Sequence, residues 1–107
     1  MVIGLTPTQV KAKLDANEDF VLLDVRTPGE WNSWRIEAPQ VKWIPQNMIF
    51  EKAGELPRDK EIVVSCRSGG RSYQSARILK GLGFDNVKIA EGNLLAWPYE
   101  AFGGEKE

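Results

Sequence analysis

Ile62-Val63-Val64-Ser65-Cys66-Arg67-Ser68-Gly69-Gly70-Arg71-Ser72 is the stretch on which the reading of this sequence turns. Glu61 to Ser65 is a β-branched run and the clearest strand in the chain. Arg67-Ser68-Gly69-Gly70 then interrupts it with turn chemistry. From about Arg71 the period becomes helical: Tyr73, Ala76, Leu79 and Leu82 recur at three-residue steps with Ile78 beside them. Gly81 and Gly83 offer a C-terminal stop. A strand therefore delivers the only cysteine, Cys66, to a tight loop, and a helix starts directly after it.

Each part of that loop has a chemical consequence. A helix N-terminus presents unpaired N–H groups and the positive end of its dipole. Gly69 and Gly70 let the loop curl without Cβ clashes, so successive N–H groups can turn inward as an anion-binding nest. Arg67 and Arg71 add two fixed positive charges. Together these favour thiolate over thiol, and the thiolate is the nucleophile. A lone cysteine is ordinarily a small buried hydrophobe. Two flanking arginines argue against that here, because burying their charge beside an inert core residue would be costly.

Outward from the loop, strands and helices alternate. Thr6-Pro7-Thr8-Gln9 is a capping box with Pro at the first helical position, predicting a helix over about 7–16 that Asn17 suits as an end. Phe20 to Val25 is a continuous apolar run, as expected of a parallel strand buried on both faces. Thr27-Pro28-Gly29-Glu30 repeats the capping logic and opens a very short helix reaching roughly Trp34. Val41 to Ile44 is a further strand, stopped by Pro45, and Met48-Ile49-Phe50 belongs to another short helix. Val87 to Ala90 is a strand, and Asn93 to Trp97 a short helix before Pro98. The tail, 103–107, is expected to fray. The pattern predicts an α/β domain with a largely parallel sheet, in which ligands bind at the carboxyl ends of strands. Cys66 sits at such an end.

Composition narrows the chemistry further. The 107 residues are the usual size of one domain, read as 1–107 with a core over about 5–100. Fourteen basic against fifteen acidic residues give a net charge of -1, with no block of like charge to suggest nucleic acid or an anionic membrane. The first seven residues do not read as a signal peptide, and no run is long enough to span a bilayer. One cysteine forms no internal disulfide, which fits a reducing cytoplasm. The absence of histidine excludes Cys-His and Ser-His-Asp catalysis and removes the usual zinc ligands, so neither metal nor cofactor is expected.

The sequence resembles the rhodanese family from about Leu5 to Trp97. The matching elements are Leu22-Leu23-Asp24-Val25-Arg26, Glu30-Trp31, the loop Cys66 to Ser72, Gly81-Leu82-Gly83-Phe84, and Glu91-Gly92 with Trp97. The resemblance implies a small α/β rhodanese-like fold with a central, mostly parallel sheet of about four to five strands flanked by helices. It implies a sulfurtransferase in which Cys66 takes sulfane sulfur from thiosulfate or a persulfide donor and passes it to a thiophilic acceptor. Arg67, Ser68, Gly69, Gly70 and Arg71 would bind the anionic sulfur, by oxyanion-hole logic. The ring from Cys66 to Arg71 is one residue shorter than in members similar to dual-specificity phosphatases, which ranks phosphoryl transfer low. The segment Trp34-Arg35-Ile36-Glu37-Ala38-Pro39 and Gly92-Asn93 depart from the family pattern near the pocket.

Other residues carry two readings. Asp24 is expected to cap backbone N–H groups or to pair with an arginine. Arg67 is the expected contact for an anionic donor, whereas Arg71 is open to capture by Asp24 or Glu30. Trp31, Trp43 and Trp97 read as core or edge packing. Trp34, if exposed beside the pocket, would mark a docking surface for a sulfur donor or acceptor protein. The competing function is a non-catalytic module in which the same fold docks a partner and Cys66 is passive or regulatory.

Overall fold

Thr6 and Thr27 both sit in extended backbone and accept hydrogen bonds from the N–H groups of Gln9 and Glu30, whose side chains accept from the threonine N–H groups in return. These boxes, with Pro7 and Pro28 in the first turn, fix the starts of α1 (Pro7–Asp15) and α2 (Pro28–Ser33). The computed structural model describes residues 3–66, 70–91 and 97. The expected helix over 93–97, except for Trp97, and the tail at 103–107 lie outside the described residues.

Five parallel strands form one sheet in the order β1-β5-β4-β2-β3: β1 (Ile3–Leu5), β2 (Val21–Asp24), β3 (Val41–Trp43), β4 (Ile62–Ser65) and β5 (Val87–Ala90). The α/β fold with a parallel sheet is therefore as the sequence predicted. β1 was not anticipated. It is a three-residue strand at the sheet edge, with Ile3 exposed, and it gives no buried run to read. By contrast β2 and β4 lie centrally and are buried at every position, which is why they read as continuous apolar runs.

Alternation along β2 and β4 builds two cores, one on each face. Leu23, Val25, Ile62, Val64 and Cys66 face α3 (Ile49–Lys52) and α4 (Gly70–Gly81), packing with Ile49, Ala76, Leu79 and Phe84. Leu22 and Val63 face the other way, toward Val10 of α1, Phe20, Trp34, Ile36 and Trp97. Burial of each such Leu, Ile or Val side chain contributes about 1.5–3 kcal/mol. The short helix expected around 48–50 is α3, flanked by tight turns at 46–48 and 53–55.

Both long helices stop by the same device. In α4, Gly83 has φ +97; its N–H donates to Lys80 O and that of Phe84 to Leu79 O, both at 3.1 Å. In α1, Asn17 has φ +51, and the Asn17 and Glu18 N–H groups donate to Leu14 O and Lys13 O at 3.0 Å. Each is the six-to-one and five-to-two pairing around a left-handed residue. Arg58 adds to the first of these, donating to Leu82 O at 2.7 Å with its guanidinium 4.4 Å from the Phe84 ring centre.

The chain leaves β2 toward β3 and leaves β4 toward β5, in opposite directions across the sheet. A crevice results at the carboxyl ends of these two neighbours, as in other open α/β sheets. Asp24 is aligned with Ser65 there, and Val25 donates to Ser65 O at 3.0 Å. Among the described residues no helix is long and apolar enough to cross a membrane.

Candidate active site

Cys66 follows β4 directly and is 1% exposed, on the sheet face that carries α3 and α4. α4 begins at Gly70, so the segment from Cys66 to the helix is short. Arg67, Ser68 and Gly69 lie outside the described residues. Of the loop residues singled out from sequence, Cys66, Gly70 and Arg71 can be followed.

Arg71, in the first turn of α4, reaches back to α2. Its Nη1 donates to Glu30 Oε1 at 2.5 Å and its Nη2 to Glu30 Oε2 at 2.8 Å. Both side chains are part-buried, and the parallel fork is the strong geometry for guanidinium and carboxylate. Of the two carboxylates open to Arg71, Glu30 makes this contact. The Glu30 carboxyl is pulled down to about 2, first by the Arg71 hydrogen bond and also by bonds from Thr27, against a desolvation effect that raises it. Arg71 is held above its ordinary value, first by Glu30, with smaller attraction from Cys66 and Asp24.

Asp24 and Arg26 form a second, deeper pair. Arg26 is 1% exposed, and its Nε and Nη2 donate to the Asp24 carboxylate at 2.8 to 3.0 Å. Asp24 Oδ1 also accepts the Arg26 N–H at 3.0 Å. Two further guanidinium N–H groups donate to Glu30 O at 3.3 Å and Trp34 O at 2.8 Å, satisfying carbonyls of α2 and its end. A buried charge is tolerated only when so completely paired. Asp24 thus caps and pairs, as the sequence suggested, and Arg26 fixes α2 beside the crevice.

The tryptophans complete that support. Trp31 and Trp43 stack with ring centres 5.2 Å apart and planes 6° from parallel, while Trp43 Nε1 donates to Arg26 O at 2.9 Å. Trp97 is buried in the second core. Trp34 does not meet the condition set for a docking surface, since it is 2% exposed. The backbone at Trp34 is extended as it leaves α2, which turns the ring onto the sheet, with Arg26 Cζ 5.2 Å from its centre.

A groove of about 230 Å³ opens beside these elements, between the residues following β2 and β3 and the start of α4. Val25 forms part of its lining, with Thr27, Pro28, Pro45, Gln46, Asn47 and Arg71. Continuing the β2–β4 register past Asp24 and Ser65 sets Val25, which lines the groove, opposite Cys66 in the backbone. Gln46 and Asn47 were missed by sequence reasoning. The available signal was their place just after a strand, where α/β sheets collect ligand contacts. A larger hollow of about 470 Å³ lies at the amino ends of β2 and β3, away from Cys66, bordered by Asn17, Phe20, Gln40 and Lys60.

Comparison with known proteins agrees with this geometry. The rhodanese-like domain family matches residues 6–99. A sulfurtransferase of Allochromatium vinosum is 34% identical over 97 residues, covering 91% of this chain and 89% of the relative. The rhodanese-like domain protein of Staphylococcus aureus superposes with a TM-score of 0.83 at 27% identity, covering 92% of this chain and 94% of that one. The NAD-dependent persulfide reductase of A. fulgidus is 42% identical with a TM-score of 0.74; the match covers 92% of this chain but 16% of that protein.

Proposed function

The chain belongs to the rhodanese-like family, and from that premise we propose that it is a sulfurtransferase working through a persulfide on Cys66. The observation that carries the proposal is the position of Cys66, directly after β4 at the sheet crevice, with the guanidinium of Arg71 held nearby by Glu30. The similarity to a named sulfurtransferase over nearly the full length of both chains supports it.

In the first step the Cys66 thiolate attacks the outer sulfur of thiosulfate, or of a persulfide donor. The sulfur–sulfur bond of the donor breaks, sulfite or a thiolate leaves, and Cys66 becomes a persulfide. In the second step a thiophilic acceptor attacks that outer sulfur and Cys66 departs as thiolate. Arg67, Ser68, Gly69, Gly70 and Arg71 bind the anionic sulfur in this reading, which stabilises the charge that develops as bonds exchange. Arg71 does so as a fixed charge, since Glu30 occupies its fork.

One observation favours the competing reading of a binding module with a passive thiol, namely the 1% exposure of Cys66. Turnover separates the two. With thiosulfate and cyanide, the sulfurtransferase produces thiocyanate and Cys66→Ser does not. Absence of thiocyanate with thiosulfate and with persulfide donors alike would favour the module.

A further inference from the structure

The groove lined by Val25, the backbone neighbour of Cys66 on β2's side, and by Arg71 bears on which acceptor the protein serves, given the reading of Cys66 as a sulfur carrier. Its volume of about 230 Å³ exceeds what one transferred sulfur needs, a single water occupying roughly 30 Å³ of liquid. Val25, Pro28 and Pro45 give it apolar walls, and among the described residues Gln46 and Asn47 add side-chain amides to its lining. Among the described residues Arg71 is the one charged side chain in its lining, and both arms of its fork are occupied by Glu30. Gln46 is held from two sides: its backbone N–H donates to Val25 O at 3.1 Å, and its Nε2 donates to Gln74 Oε1 at 3.0 Å. That fixes the amide orientation and leaves Oε1 as an acceptor that no hydrogen bond among the described residues uses. Asn47 is exposed and offers both donors and an acceptor.

A groove with apolar walls and two side-chain amides, one of them oriented by Gln74, matches a neutral amide on a short carbon stem better than an inorganic oxyanion. We propose that Gln46 and Asn47 are specificity-determining residues that recognise the amide group of a cysteinyl thiol as it takes sulfur from Cys66. The acceptor thiolate attacks the outer sulfur of the Cys66 persulfide. The bond between that sulfur and Cys66 breaks, its electron pair stays on Cys66, and the acceptor leaves as a persulfide. Charge is conserved and no oxidant or reductant is consumed.

The test uses the full chain loaded with sulfur from thiosulfate or inorganic polysulfide, with loading verified by intact mass. Single-turnover transfer is then followed to N-acetylcysteine amide and, separately, to 2-mercaptoethanol, which lacks an amide. Comparing the ratio of the two rate constants between variants cancels intrinsic thiol reactivity. Gln46→Ala and Asn47→Ala are each expected to lower that ratio about fivefold, the order of one hydrogen bond. Asn47 is exposed, so its variant decides the matter even if Gln46→Ala disturbs the contact with α4. An unchanged ratio in both variants overturns the inference while leaving the sulfur-carrier reading intact. Failure of the wild-type protein to load overturns that reading, and the inference with it.

Discussion

Arg71 and Glu30, 41 residues apart in sequence, are joined by two hydrogen bonds of 2.5 and 2.8 Å. Glu30 is at the same time the acid of the capping box that starts α2, accepting from the N–H and hydroxyl of Thr27. One carboxylate therefore ties the first turn of α4, just beyond Cys66, to the first turn of α2. Buried beneath it, the Asp24–Arg26 pair fixes the other end of α2 through Trp34 O. The surroundings of Cys66 are held from two directions.

The pH dependence of stability follows from the Glu30 carboxyl, which is lowered to about 2 in the folded chain from an ordinary 4.5. Below pH 4.5 the unfolded state binds the proton more readily, so the contribution is fully present above that value and is lost as pH falls through about 2. Glu30→Gln is expected to flatten the acid limb of a thermal-midpoint profile between those values. At neutral pH the same variant should melt a few degrees lower, losing about 1 kcal/mol. An unchanged acid limb would contradict the role given to the pair.

Removing Asp24 is expected to be far more damaging. Asp24→Asn leaves the Arg26 guanidinium, 1% exposed, without its countercharge. The cost of uncovering a buried charge is about 3–5 kcal/mol, comparable to the stability of a small domain. Urea unfolding should show loss of most of the folding free energy, with a milder effect for the paired replacement Asp24→Asn with Arg26→Met. Equal damage from single and double variants would show that something other than the stranded charge is at fault.

Gly83 tests the closure of α4. A Cβ there would stand 2.8 Å from Arg58 Nη1, at a backbone φ of +97. Gly83→Ala should destabilise by about 1–3 kcal/mol from the left-handed backbone, plus the cost of moving Arg58. In an Arg58→Ala background the crowding disappears and the backbone cost remains. Gly83→Ala should therefore cost less in that background, measured as a double-mutant cycle in urea.

Much of this architecture was legible in the chain itself. β2 and β4 announced themselves because a strand buried on both faces cannot alternate, and both capping boxes form as their spacing implied. Asn17 and Gly83 occupy the left-handed ends that their residue types suit. β1 was illegible because three edge residues, one exposed and two half-buried, carry neither a run nor a period. Trp34 stayed open in the sequence for a different reason: whether an aromatic after a short polar helix turns inward depends on one extended residue and on the buried Arg26 it covers. The Glu30–Arg71 contact was foreseeable only as one of two options, since sequence separation does not say which carboxylate arrives. Gln46 and Asn47 were passed over because amides carry no motif, and only the strand order brings them beside Val25.

The central claim, that Cys66 carries sulfur, is tested most directly by intact-protein mass after incubation with thiosulfate. The account predicts a gain of one sulfur atom, located on Cys66 by fragmentation, removed by cyanide and absent from Cys66→Ser. A mass that stays unchanged with thiosulfate, polysulfide and low-molecular-weight persulfides would contradict it.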